Sequence, residues 1–213
     1  MSESVIAKAA NRRSLWPLWA MVLIFALPVA AAWFYYFNPE FLPEGRANRG
    51  ELIQPVRPWP ADLQLSESDG RAFDAATMAD HWTLLTVGRS PCDPACREKL
   101  IELRQIRLAL GESSLVVERM ALLVGNAPQP GLGATDELAG TREVVAPPSA
   151  VPQLTAVFGP PQEIWNRIYI VDPFGNLMMR YAADAPPKDV LKDMERLLKA
   201  SKNWIKGAQY GHR

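Results

Sequence analysis

Cysteine and histidine are scarce in this chain: two of each occur among 213 residues, Cys92 and Cys96, His81 and His212. Thiol chemistry is therefore confined to one short stretch. The spacing Cys-x-x-Cys, usual in thiol oxidoreductases, is absent, and four positions separate the two cysteines instead. Net charge is also absent. With 23 basic and 23 acidic side chains the chain carries no electrostatic signature of nucleic-acid binding, and nothing in it repeats, which argues against a solenoid. Proline, in contrast, is abundant at 19 residues and clusters between positions 39 and 60.

What is present first is an uncharged apolar run over residues 15–37, long enough to cross a hydrocarbon core of about 30 Å. Pro17 and Pro28 interrupt it, as membrane helices tolerate. Trp16 and Trp19 at one end, and Trp33, Tyr35 and Tyr36 at the other, suit the two bilayer interfaces. Lys8, Arg12 and Arg13 precede the run, whereas Glu40 and Glu44 follow it, so the positive-inside rule places residues 1–14 in the cytoplasm and the remainder outside. The alternative is a cleaved signal peptide processed near Ala30-Ala31-Ala32, against which the apolar run continues through Phe37. Residues 38–62 then read as a Pro-rich periplasmic tether with little regular structure, residues 63–206 as a folded domain, and residues 207–213 as a tail.

The domain is organised around residues 82–96. Residues 82–87 form a β-branched, apolar strand ended by Gly88. Asp93 suits an N-cap and Pro94 the first helical position, and Leu100, Ile101, Leu103, Ile106, Leu108 and Leu110 supply an apolar face up to Gly111. Cys92 thus sits at a helix N-terminus with Cys96 one turn on, about 6 Å along the axis, within reach of a disulfide. Helix dipole and backbone N–H groups favour a thiolate there, with Arg89 and Arg97 adding positive charge. A thiolate serves both redox exchange and copper(I) ligation. The alternative, a permanent structural bridge, is disfavoured because so short a loop constrains the unfolded chain little.

Around this unit, residues 63–73 predict a small hairpin turning at Asp69-Gly70, and residues 75–80 a helical turn. Residues 115–117 and 120–124 supply a second buried strand, chiefly the later run, giving a parallel βαβ unit. Residues 125–167, heavy in Gly and Pro, suggest only a helix over 149–158. A hairpin follows over 168–171 and 177–181, turning at Asp172-Pro173-Phe174-Gly175, and an amphipathic helix over 187–204 closes the fold, with Val190, Leu191, Met194, Leu197 and Leu198 on one face. This order of elements, with a cysteine pair after the first core strand, predicts an α/β, thioredoxin-like fold preceded by a single transmembrane helix.

Gly88-x-x-x-Cys92-x-x-x-Cys96-x-x-x-Leu100 resembles the Sco/SenC family, membrane-anchored thioredoxin-like proteins of cytochrome c oxidase assembly whose CxxxC pair binds copper. Tyr169-Ile170-Val171-Asp172-Pro173-x-Gly175 is similar to that family's strand and turn after its third copper ligand, and the resemblance spans roughly residues 60–200. It implies an inner-membrane factor with Cys92 and Cys96 as redox residues and as two copper ligands, acting with cytochrome c oxidase subunits or a copper chaperone. One position departs. Where the family carries its histidine ligand this chain has Ile164, so the third ligand is unidentified; His81 lies at the far end of the central strand, close to 20 Å away, and His212 in the tail. Met178 and Met179 are soft donors that also suit a core, and Pro160 or Pro161 could supply a cis-proline beside the cysteines. Thiol–disulfide exchange in oxidase copper-site assembly is the leading expectation. The alternatives are a copper(I) carrier and a non-catalytic interaction subunit of an assembly complex. A peroxidase is disfavoured because Cys92 lacks the Thr/Ser-x-x-Cys context.

Overall fold

The computed structural model of the chain describes residues 15–38, 41, 48–60, 63–126, 132 and 136–210. It comprises two compact units, Met1–Arg46 and Ala47–Arg213. In the first, helix α1 (Trp16–Phe37) runs 22 residues, about 33 Å at 1.5 Å per residue. It is long and apolar enough to span a membrane, with Pro28 accommodated inside it. Residues 1–14 lie outside the described residues.

The second unit is built on a seven-stranded sheet. Its strands are β1 (Glu51–Pro58), β2 (Ser66–Glu67), β3 (Trp82–Arg89), β4 (Val117–Val124), β5 (Thr141–Ala146), β6 (Ile168–Val171) and β7 (Asn176–Arg180). They lie in the order β1-β7-β6-β3-β4-β5-β2. Helices α2 (Pro94–Ala109), α3 (Val151–Phe158) and α4 (Pro187–Tyr210) complete it. Strand β3 sits at the centre, parallel to β4 and antiparallel to β6, with Trp82 facing Val117 and Arg89 facing Val124 in register. The expected βαβ unit, hairpin and closing helix are all present.

Because side chains alternate along a strand, β3 feeds two cores. Trp82 and Leu84 enter one, shared with Leu100, Leu103 and Ile106 of α2 and Val190, Met194 and Leu198 of α4. Leu85 and Val87 enter the other, shared with Leu154 and Phe158 of α3. Burial on both faces explains the near-continuous apolar run of β3. Leu108, expected on the buried face of α2, is instead 58% exposed; five residues beyond Leu103 a helix has turned about 140° away from that stripe.

Residues 51–58 correct the expectation of an unstructured tether over 38–62. They form β1, which pairs antiparallel with β7 at the sheet edge, and Ile53 and Trp59 are buried. An edge strand with a bulge tolerates Pro55 and Pro58, since prolines there forfeit no central ladder bond. The folded unit consequently begins near residue 47 rather than 63. Its entry is fastened by Asp193, 2% exposed, whose Oδ2 accepts the backbone N–H groups of Arg49 (2.8 Å) and Gly50 (2.9 Å) and the Tyr181 hydroxyl (3.0 Å). Residues 207–210, expected in the tail, continue α4. Strand β5, within the segment that suggested only a helix, is a further parallel strand beside β4.

Candidate functional site

At the C-terminal end of β3 the chain passes through Ser90 and Pro91, joined by a cis peptide bond, into Cys92, Asp93 and α2. No cis bond occurs at Pro160 or Pro161; a second among the described residues is Gln54–Pro55. Asp93 caps α2 as expected: its carboxylate accepts the N–H of Cys96 at 2.8 Å, and Pro94 opens the helix, where no N–H is needed. Cys92 and Cys96 are joined as a disulfide with their Cα atoms 5.4 Å apart.

The two sulfurs are not equivalent. Cys92 is 8% exposed and Cys96 1%, so an incoming reactant meets Cys92 first. Cys96 is sheltered by Gly88 and Leu123: a Cβ placed on Gly88 would approach the Cys96 Sγ and a Leu123 methyl each to 3.0 Å. Gly88 therefore does more than end a strand. It lies within β3 and makes room for the inner sulfur. Sequence reasoning read it as punctuation, although a glycine eight residues before the second cysteine, on a strand side that faces the helix, carries the signal of close approach.

Positive charge around the pair is less than the sequence implies. Arg89 follows Gly88 and so points to the opposite side of the sheet, where its guanidinium lies 4.6 Å from the centre of the Trp165 ring. Arg97, on α2, lines a surface cavity of about 600 Å³ with Pro94, Glu98, Ile101 and Pro187.

Residues 160–167 dock alongside the strand end: Trp165 bridges to Val87, and the Asn166 N–H donates to the Val87 carbonyl at 2.8 Å. This brings the segment that resembles the family's third-ligand region close to the cysteine turn. The side chain of Ile164, however, is fully buried in the core across the sheet from the cysteines, and its carbonyl accepts the Tyr169 hydroxyl at 3.2 Å. Burial raises the Tyr169 pKa to about 12. Met179 is buried in the cysteine-side core and Met178 packs against it. His81 stands before Trp82, at the other end of β3, with Nδ1 3.1 Å from the Ala79 carbonyl; His212 lies outside the described residues. Among the described residues no three His, Cys, Asp or Glu side chains gather as a metal site. Among the described residues the donors do not complete a three-ligand copper centre: the two sulfurs are bonded to each other, and Ile164, where the resemblance leads one to look for the histidine, is apolar and buried across the sheet.

Residues 82–201 match the family model described as transmembrane-like, thioredoxin-like, C-terminal domain. Among curated proteins none matches the chain. Among solved structures, yeast Sco1 with copper bound superposes with a TM-score of 0.55 at 14% identity, over 69% of this chain and 95% of that one. Apo Sco1 from Thermus thermophilus gives 0.53 at 17% identity, over 73% and 99%. BsSco, described as carrying a disulfide switch and as a member of the Sco family of cytochrome c oxidase assembly proteins, gives 0.50 at 14% identity, over 68% and 96%. At these identities the likeness is one of fold, and it places the thioredoxin-like architecture on this chain.

Proposed function

Because this chain belongs to the transmembrane-like, thioredoxin-like C-terminal domain family, we propose that it is a membrane-anchored thiol–disulfide exchange factor serving the copper site of cytochrome c oxidase. The observation that carries this reading is the asymmetric Cys92–Cys96 bridge at the start of α2, with one sulfur toward solvent and the other sealed beneath Gly88.

Exchange begins from the reduced pair. The Cys92 thiolate, favoured at the helix N-terminus, attacks one sulfur of a partner disulfide; that bond breaks, and the first partner sulfur leaves as a thiolate. The Cys96 thiolate then attacks Cys92 Sγ, closing the bridge and releasing the second partner thiolate. Two electrons pass to the partner, whose sulfurs become able to take copper, and the protons given up by Cys92 and Cys96 balance those taken up there. A separate thiol reductant restores the pair. Oxidase subunits or a copper chaperone supply the partner disulfide.

The likeness to copper-bound yeast Sco1 favours a second reading, in which the reduced thiolates carry copper(I). Among the described residues no His, Asp or Glu gathers with the two cysteines as a metal site, which puts it behind exchange. The charge asymmetry around α1 supports anchoring in a bacterial inner membrane with residues 1–14 cytoplasmic and the folded unit periplasmic.

The decisive experiment equilibrates the full chain in thiol redox buffers and counts alkylated cysteines. A reversible two-electron couple is expected, with Cys96→Ser trapping a mixed disulfide on Cys92. In cells lacking the chain, oxidase activity should return with the wild type and not with Cys92→Ser. Sulfurs that never reduce, or full rescue by Cys92→Ser, would overturn the proposal.

A further inference from the structure

The core on the cysteine side of β3 holds a hydroxyl that the fold does not use. Thr86 is fully buried, and among the described residues its Oγ1 has no hydrogen-bond partner. A buried polar group left unpaired in a native structure calls for a reason.

Its place in the strand supplies one. Side chains alternate along β3, so Thr86 shares a face with Leu84 and Gly88, the face turned toward α2. On that face a Cβ at Gly88 would stand 3.0 Å from the Cys96 Sγ, and Thr86 carries the next side chain back along the strand, about 7 Å from there. With glycine at position 88, no β3 side chain on this face stands between the hydroxyl and the inner sulfur. The helix of a βαβ unit returns over the strand it follows, and Leu100, one turn past Cys96, joins the cluster that holds Leu84. Thr86 thus lies on the path of the first turns of α2. Its cross-strand neighbours Ala121 and Ile168 belong to the same cluster. Both are apolar, so neither side chain offers the hydroxyl an acceptor.

We propose that Thr86 Oγ1 donates a hydrogen bond to Cys96 Sγ when the bridge is open, stabilising the thiolate that performs the second step of exchange. A sulfur bonded to its neighbour is a weak acceptor, whereas a thiolate is a charged one and binds a donor far better. Opening the bridge also lets the sulfurs part to non-bonded contact, with Cys92 the more exposed of the two. The hydroxyl is therefore unpaired in the disulfide form and paired in the dithiol form, which raises the reduction potential of the couple. This inference rests on the exchange reading.

Strand β3 carries its own control. Thr83 is as fully buried as Thr86 and its hydroxyl is likewise unpartnered, yet it alternates with Leu85 and Val87 toward the other core, about 17 Å along the strand from Gly88.

The test equilibrates the full chain, in neutral detergent micelles, with thiol redox buffers at neutral pH and counts alkylated cysteines; urea unfolding of the oxidised and reduced forms is measured in parallel. Thr86→Val should shift the couple about tenfold toward the disulfide, as loss of one charge-assisted hydrogen bond implies, which is about 30 mV for two electrons. The same substitution should stabilise the oxidised form more than the reduced one, because only there is the hydroxyl unpaired. Thr83→Val should affect both forms alike and leave the potential unchanged, and Thr86→Ser, which keeps the donor, should retain the wild-type potential. Thr86→Ala, which also lacks the hydroxyl, serves if the valine variant does not fold. A potential that neither variant lowers, in a chain whose wild type cycles, overturns the inference and leaves exchange standing. An equal shift in Thr83→Val overturns it too, since the effect is then one of packing alone. A wild-type bridge that never reduces removes the exchange reading and this inference together.

Discussion

Reducing the Cys92–Cys96 bridge separates an exchange centre from a structural staple, because a protein that cycles must be folded in both states. The bridge closes a loop of sequence separation four, for which the chain-entropy relation gives about 2 kcal/mol of stabilisation. Packing around the sulfurs changes little on reduction, since Gly88 and Leu123 still enclose Cys96. A thiolate formed at the N-terminus of α2 recovers about 0.3–1 kcal/mol through the helix dipole. The net loss is then about 1–2 kcal/mol, or roughly 2–8 °C in midpoint for a unit of this size. Far-ultraviolet circular dichroism of the full chain with and without a phosphine reductant, with free thiols counted in parallel, measures it. If reduction abolishes cooperative unfolding, or the shift is several times larger, the bridge holds the fold together and the exchange mechanism fails.

A chain truncated to begin at residue 60 loses β1 with its buried Ile53 and the two backbone donors to Asp193; it should be less stable than one beginning at residue 47 by at least about 3 kcal/mol, and equal denaturant midpoints would count against the role of that edge. Ile164→His places an imidazole in the core away from the sulfurs, so urea unfolding should show a loss of about 1–3 kcal/mol and copper(I) titration no gain in affinity; a gain would mean that the segment turns over. Tyr169 is held neutral in the folded state up to about 12, whereas its unfolded phenol ionises near pH 10. Its contribution is thus complete below pH 10 and lost as pH rises through about 12, and Tyr169→Phe should flatten that alkaline decline in unfolding free energy; an unchanged slope would refute the assignment.

How much of this was legible in the sequence depends on how local the signals are. The stretch from Trp82 to Gly111 announced its strand, cap and helix because each cue lies within a few residues of its effect: Asp93 accepts from Cys96, three positions away, and Pro94 stands at the first helical turn. Strand β1 was hidden because its partner β7 lies more than a hundred residues later, while Pro55 and Pro58 carry a local signal for extended, unpaired chain. Strand β5 was hidden differently: Val144, Val145 and Ala146 are buried on a strand without alternation, in a segment where glycine and proline dominate the pattern. At the site, motif spacing sets Ile164 where the resembled family has its histidine, and the structure buries that side chain in the core across the sheet from the cysteines. Along a strand, a one-residue change of phase reverses the face. The same alternation sends Arg89 to Trp165 and leaves Gly88 over Cys96. What the cysteine pair can do is therefore set by residues adjacent in sequence and opposite in space: the small residue shelters the inner sulfur, and the charged one is spent elsewhere.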